Sequence, residues 1–253
     1  MKNSKIEFCD DTLAFWRGCE RVSEGCKACW MHRTFANKPI DSTIVTLSSE
    51  RTFYAPLSWK TPRKIFVCHT SDFFIKDADK WRDDAWYVIR NCPQHTFQII
   101  TKRADRILEC LPDDWGDGYP NVWLGVTVEN MNNFNRAEVL SKIPAKVRFI
   151  IAEPLLEEID FLTELNGVRI IDKIDWVIFG GESGYESGTY KYRPSELIWY
   201  ENAIIQLRNY TKVAIFVKQL GAHLRNQMGL KEWFGADMDE WPEHLQIREF
   251  PKQ

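Results

Sequence analysis

The stretch Val122-Trp123-Leu124-Gly125-Val126-Thr127-Val128-Glu129 decides how this chain is read. Seven residues run without a charge and without polar alternation, as in a strand covered on both faces, and a carboxylate follows at once. Working outward, the same form recurs at Lys64 to His69, Thr96 to Ile100, Val147 to Ala152, Ile174 to Phe179 and Val213 to Val217. Helical spacing falls between these runs, at Ala78 to Arg90, Ala104 to Leu111, Asn135 to Ile143, and Pro194 to Asn209, the last with Pro194 as a first-turn residue. Phe161 to Leu165 has room for only a turn or two. Strand then helix, repeated, is the pattern of a parallel sheet covered by helices. With a further strand expected before Cys19 there are seven, which predicts an α/β fold of the (β/α) TIM-barrel type, complete or partial, rather than an open doubly wound sheet. The expected organisation is one domain over residues 1–253, with 222–253 as a C-terminal extension anchored by Trp233, Phe234 and Trp241.

The residues immediately after each run are as informative as the run itself. The tips read Thr70-Ser71-Asp72, Thr101-Lys102-Arg103, Glu129-Asn130, Glu153, Gly180-Gly181-Glu182-Ser183 and Lys218-Gln219. In a (β/α) barrel such tips gather at the C-terminal mouth, where these folds keep their active sites. One polar tip is an ordinary strand end; six with ionisable or hydroxyl groups predict a functional rim.

Ahead of the strands lies Gly18-Cys19-Glu20-Arg21-Val22-Ser23-Glu24-Gly25-Cys26-Lys27-Ala28-Cys29, whose cysteines are spaced C-x6-C-x2-C. A helix from Cys26 to Ala36 would put Cys26 and Cys29 on one face, with Cys19 folding back to meet them. Three readings are open. The thiolates can hold three irons of a [4Fe-4S] cluster, leaving the fourth iron to S-adenosyl-L-methionine for reductive cleavage to a carbon radical. His32, three residues beyond Cys29, can complete a Cys3His zinc site. Or the three are ordinary buried thiols.

The chain has 253 residues, 44% hydrophobic and 27% charged, enough for a sizeable core. A net charge of -3 at pH 7 means that any nucleic-acid contact relies on a local basic patch. Seven cysteines, an odd number, and an N-terminus without an apolar signal region predict a reducing, cytoplasmic setting. No apolar run approaches the roughly 20 residues that span a bilayer, so a soluble protein without membrane contact is expected. No Ser/His/Asp arrangement suggests a hydrolase and no glycine loop suggests a phosphate cradle. Of the eleven tryptophans most are expected in the core, with some free to stack on a flat substrate.

The cysteine loop with its flanks Ile6-Glu7-Phe8 and Cys29-Trp30 resembles the opening of a phage-associated family of three-cysteine proteins. The resemblance continues through Thr70-Ser71-Asp72-Phe73-Phe74, Thr101-Lys102-Arg103, Asn121 to Glu129, Ala152-Glu153-Pro154-Leu155-Leu156, Asp175 to Gly184, Phe216 to Gly221 and Trp241-Pro242-Glu243. It implies a radical S-adenosylmethionine type (β/α) barrel, similar in layout to spore photoproduct lyase. It also implies a 5'-deoxyadenosyl radical that modifies or rearranges a substrate, with a modified thymidine in phage DNA as the suggested target. A flavodoxin or ferredoxin would supply the electron, in the host cytoplasm if the gene belongs to a phage. The spacing is three residues longer than the commoner C-x3-C-x2-C, and Gly180-Gly181-Glu182 follows about the sixth strand, where the superfamily's Gly-Gly-Glu follows an early one.

On that reading Cys19, Cys26 and Cys29 are the metal ligands, and Ser71 and Asp72, beside the loop if the second strand neighbours the first, are the first candidates for the cofactor's amine. Glu129, Glu153, Gly180, Gly181, Glu182 and Lys218 complete the expected cofactor-binding set. The two glycines permit close approach of a ligand or simply make a tight turn. The carboxylates of Glu153 and Glu182 can bind ribose hydroxyls or an ammonium, or form salt bridges to Lys102, Arg103 or Lys218. Arg17, Arg21, Lys27 and Arg33 crowd the cysteine loop and suit an acidic redox partner or a nucleic-acid backbone. The rival reading is a zinc-stabilised, non-catalytic barrel that binds nucleic acid or protein.

Overall fold

A computed structural model describes residues 4–252. Seven parallel strands stand side by side in chain order: β1 (Asp11–Leu13), β2 (Lys64–Val67), β3 (Thr96–Thr101), β4 (Val122–Thr127), β5 (Val147–Ala152), β6 (Trp176–Gly180) and β7 (Ala214–Gln219). Leu124 of β4, for example, sits opposite Ile99 of β3 and Arg148 of β5. The sheet curls into a half-barrel and does not close, so the partial barrel is the form adopted and the complete one is not. The C-terminal segment occupies the edge that closure would need. Val217 N donates to Ile247 O at 2.7 Å and Glu249 N to Ile215 O at 2.9 Å, an antiparallel strap along β7.

Side chains on each strand alternate between the two faces. The convex face, with Ile65, Val67, Phe97, Ile99, Leu124, Val126, Ile150, Val177, Phe179, Ile215 and Val217, belongs to the main core beneath the helices. Those helices are α1 (Trp30–Phe35), α2 (Glu50–Phe53), α3 (Asp79–Arg90), α4 (Asn135–Ser141), α5 (Leu197–Tyr210) and α6 (Gly221–Met228). The concave face holds a second, aromatic cluster of Phe8, Trp123, Phe149, Trp176 and Phe216. Trp176 is its hub, with ring centres of Phe8, Trp123, Phe149, Phe216 and Phe250 all between 5.3 and 6.2 Å away. These rings pack the N-terminal half of the barrel, and the cavity lined by the strand-tip residues lies at the end where the strands finish.

Three local expectations are corrected. The helix expected over Cys26 to Ala36 begins only at Trp30, after a 3-10 turn at Glu24–Cys26, because Cys29 is extended (ψ 126°) and caps α1. Ala104 to Leu111 forms two 3-10 turns, Ala104–Arg106 and Leu108–Cys110, instead of a helix. In the third, Pro194 lies before α5, whose cap is Glu196. The segment around 161–165 contributes one arm of a two-residue antiparallel ribbon, Glu164–Leu165 with Val168–Arg169. Among the described residues no helix is long and apolar enough to cross a membrane.

Candidate active site

The two-residue period carries from the strands into the tips. In β3 Gln98 and Ile100 face inward, so Lys102 follows them; in β5 Phe149 and Ile151 lead to Glu153; in β7 Phe216 leads to Lys218. The barrel interior therefore changes from aromatic to charged along its axis, and a cavity of about 210 Å3 opens at the charged end. Cys19, Cys26 and Cys29 all line it, facing Ser71, Asp72, Lys102, Arg103, Glu153, Gly181, Glu182 and Lys218. Of the expected site residues only Glu129 and Gly180 stand back from its wall.

The cysteine loop is held from beneath by Glu129, which is fully buried. One carboxylate oxygen accepts from Ser23 Oγ at 2.6 Å and the other from Arg136 Nη1 at 2.7 Å. Gly25 lies against the same carboxylate so closely that any side chain there would collide with it. Glu129 thus clamps the Ser23-Glu24-Gly25-Cys26 turn from outside the cavity.

Ser71 and Asp72 are also engaged by the protein itself. Ser71 Oγ donates to Gly18 O at 2.5 Å, tying the tip of β2 to the start of the loop. The Asp72 carboxylate accepts from Thr101 Oγ1 at 2.7 and 2.9 Å, from Phe74 N at 2.9 Å and from Lys102 N at 3.1 Å, and lies 3.2 Å from Arg103 Nη1. Arg103 in turn reaches Cys19 Sγ at 3.7 Å and Glu20 O at 3.1 Å.

Deeper in, Glu153 is paired with Lys218 and is approached by Gln219 Nε2 at 3.2 Å. Glu182 accepts from the backbone N and the guanidinium of Arg193. The glycine pair serves protein contacts: Gly180 leaves room for the Glu153 and Gln219 side chains, and Gly181 lets the chain pass against the Leu220-Gly221 backbone, where Gly221 has φ +82°. Trp30 and His69 stack nearly parallel, at 8° and 6.0 Å between ring centres, and both line the cavity.

Burial sets the protonation of several of these groups. It pushes the Cys19 thiol up to about 12, with the Asp72 carboxylate adding to the effect and Arg103 opposing it. His69 is brought down to about 4 by burial, with help from the charge of Arg17. His32, also buried and beside Arg21, is lowered as well, and its Nδ1 lies 2.8 Å from Ser42 Oγ. For Lys102 burial works against the charge, yet Glu129 and the thiolates of Cys26 and Cys29 outweigh it and raise the ammonium above its ordinary range.

Sequence reading missed Arg136 and Arg193, the partners of Glu129 and Glu182. The signal lay in their position: in a βα unit the segment entering the helix returns beside its strand's C-terminal end, so a cation there reaches the rim. Arg136 is the second residue of α4 and Arg193 shortly precedes α5.

The chain matches, over residues 3–246, the family described as "Protein of unknown function (DUF5131)", and it belongs to that family. No curated protein matches it. Among solved structures it is similar to a mutant spore photoproduct lyase at 12% identity and a TM-score of 0.44, covering 84% of this chain; the chain spans 64% of that protein's length.

Proposed function

We propose that the protein is a radical S-adenosylmethionine enzyme in which Cys19, Cys26 and Cys29 each ligate one iron of a [4Fe-4S] cluster and the cofactor occupies the adjoining cavity. The observation that carries this reading is the convergence of the three loop cysteines on the wall of one cavity at the C-terminal mouth of the half-barrel; Cys68, which also lines it, is buried at 2% exposure and its thiol is pushed up to about 12 by that burial. Among the described residues no three His, Cys, Asp or Glu side chains are grouped as the ligands of a single ion. The charge of the site fits a cluster. Asp72, Glu129, Glu153 and Glu182 have Arg103, Arg136, Lys218 and Arg193 as partners, and Lys102 is the additional cation beside the cysteines. An anionic thiolate cluster balances it.

Bound there, the cluster and cofactor would supply one-electron cleavage of a sulfonium and abstraction of a hydrogen atom from a substrate C–H. The chain's own residues do the rest. Glu129 and Ser23 set the path of the cysteine loop. The Lys218–Glu153 pair lines the polar floor and, steadied by the buried Gln219 amide that donates to Glu153, can orient a carboxylate, an ammonium or a hydroxyl. The aromatic plug around Trp176 excludes water from below. The Trp30–His69 stack offers a planar wall for a flat ring, and a nucleobase is the proposed substrate class on that ground. Arg17, Arg21 and Lys27, exposed around the cysteine loop, suit an acidic one-electron donor such as a flavodoxin or ferredoxin.

The test is anaerobic reconstitution with iron and sulfide, followed by electron paramagnetic resonance of the reduced protein. A reduced-cluster signal that changes on adding S-adenosylmethionine and is lost in Cys26→Ala is expected. A colourless protein holding one zinc and giving no such signal would overturn the reading in favour of a zinc-stabilised binding module.

A further inference from the structure

We propose that Lys102 and Arg103, consecutive cations at the end of β3, form the electrostatic seat of the cysteine-bound group, with Arg103 positioning Cys19 and both residues setting the group's reduction potential. This rests on the cluster reading above and adds to it two residues that act through the ligating sulfurs.

Arg103 is buried, at 8% exposure, and is held from several sides. Its backbone N donates to Thr101 Oγ1 at 2.8 Å, and that hydroxyl donates to Asp72. Its guanidinium lies 3.2 Å from Asp72 Oδ2, donates to Glu20 O at 3.1 Å, and directs Nη1 at Cys19 Sγ from 3.7 Å. Asp72 is the guanidinium's charge partner, but it is shared with the side chain of Thr101 and the backbone N–H groups of Phe74 and Lys102, and Nη1 also faces the Cys19 sulfur. A buried guanidinium is costly unless an anion faces it, and the atom it faces beyond Asp72 is the Cys19 sulfur.

Lys102 makes the same case from the other side of the loop. Its Nζ lies 3.9 Å from Glu129 Oε1, whereas Arg136 holds that carboxylate at 2.7 Å. Lys102 lines the same cavity as Cys26 and Cys29, whose sulfurs add to Glu129 in favouring its charge. One strand tip therefore sets a guanidinium against the first cysteine and an ammonium in the cavity that the second and third line. Hydrogen-bond donors and positive charge at ligating sulfurs favour the more negative, reduced state and raise its potential.

The experiment is an anaerobic redox titration of the reconstituted full chain, read by electron paramagnetic resonance alongside iron content. Arg103→Gln is expected to shift the reduction equilibrium about tenfold towards the oxidised cluster, about 59 mV more negative for one electron. Lys102→Met is expected to move it in the same direction, and Arg103→Lys, which keeps the charge, to recover at least half of the Arg103→Gln shift. A purely structural role would lower iron content while leaving the remaining cluster at the wild-type potential, and that result overturns the proposal. Should Arg103→Gln retain no cluster, Lys102→Met decides: an unmoved potential there overturns it as well. A wild-type protein that takes up no cluster overturns the cluster reading and this inference together, whereas a cluster indifferent to both cations overturns the inference alone.

Discussion

At the scale of single residues, the site is governed by charges paired inside the protein. Glu129 shows the consequence most clearly, since it is fully buried and its partner Arg136 is nearly so. Glu129→Ala leaves a guanidinium without its anion, and a loss of about 3–5 kcal/mol in urea unfolding is expected. A loss below about 1 kcal/mol would mean that the clamp is not a structural element. Gly25→Ala approaches the same contact from the loop side. The new methyl group collides with the Glu129 carboxylate, so the turn carrying Cys26 must shift. Iron bound per chain after reconstitution is expected to fall to less than half of wild type, at a stability cost of about 1–3 kcal/mol from overpacking. Normal iron uptake in this variant would show that the turn tolerates displacement.

At the scale of elements, the aromatic plug and the C-terminal strap hold the half-barrel together without closure. Trp176 is buried among five rings, and its indole N–H donates to Glu249 O at 2.8 Å in the strap. Trp176→Ala removes the hub and is expected to cost about 3–5 kcal/mol, measured by denaturant unfolding. The strap pairs with a sheet edge that would otherwise present free N–H and C=O groups. Deleting residues 246–253 exposes that edge along with Phe216, so self-association on size-exclusion chromatography is expected at concentrations where the full chain runs as a single smaller species. Strand positions were legible in the sequence because each run is apolar on both faces, and six of the seven lie within three residues of where they were expected at either end. The Ala104 to Leu111 helix was not, because apolar spacing does not separate a helix from successive 3-10 turns whose buried residues, Ala104, Ile107 and Cys110, recur every three.

At the scale of the whole molecule, two buried histidines, His32 and His95, and the half-buried His69 make stability depend on pH. Burial lowers the proton affinity of His32, His69 and His95 on folding. The unfolded chain therefore binds protons first as pH falls. The stability these groups contribute is full above pH about 6.5, the ordinary histidine value, and is lost on acidification, for His69 down to about 4. A lower urea midpoint at pH 5 than at pH 7.5 is expected. His69→Gln should reduce the slope between them by up to one proton, or ~1.4 kcal/mol per pH unit. An unchanged slope in that variant would show that His69 is not neutral in the folded protein.

Sequence by itself determined the parallel strands, their order along the chain, the charged mouth and the three-cysteine loop, because each is written in local patterns: apolar runs, the polar residue after each run, and cysteine spacing. Only the tertiary structure decided whether the barrel closes, since that depends on which segment reaches the β7 edge first, and residues 247–249 of the C-terminal segment do so. The partners of the rim carboxylates were decided there too. Glu129 meets Ser23 across 106 positions of chain, and Asp72 meets Arg103 across two strand ends. Charge pairing across such separations is a matter of proximity after folding, and proximity leaves no periodic trace in a sequence.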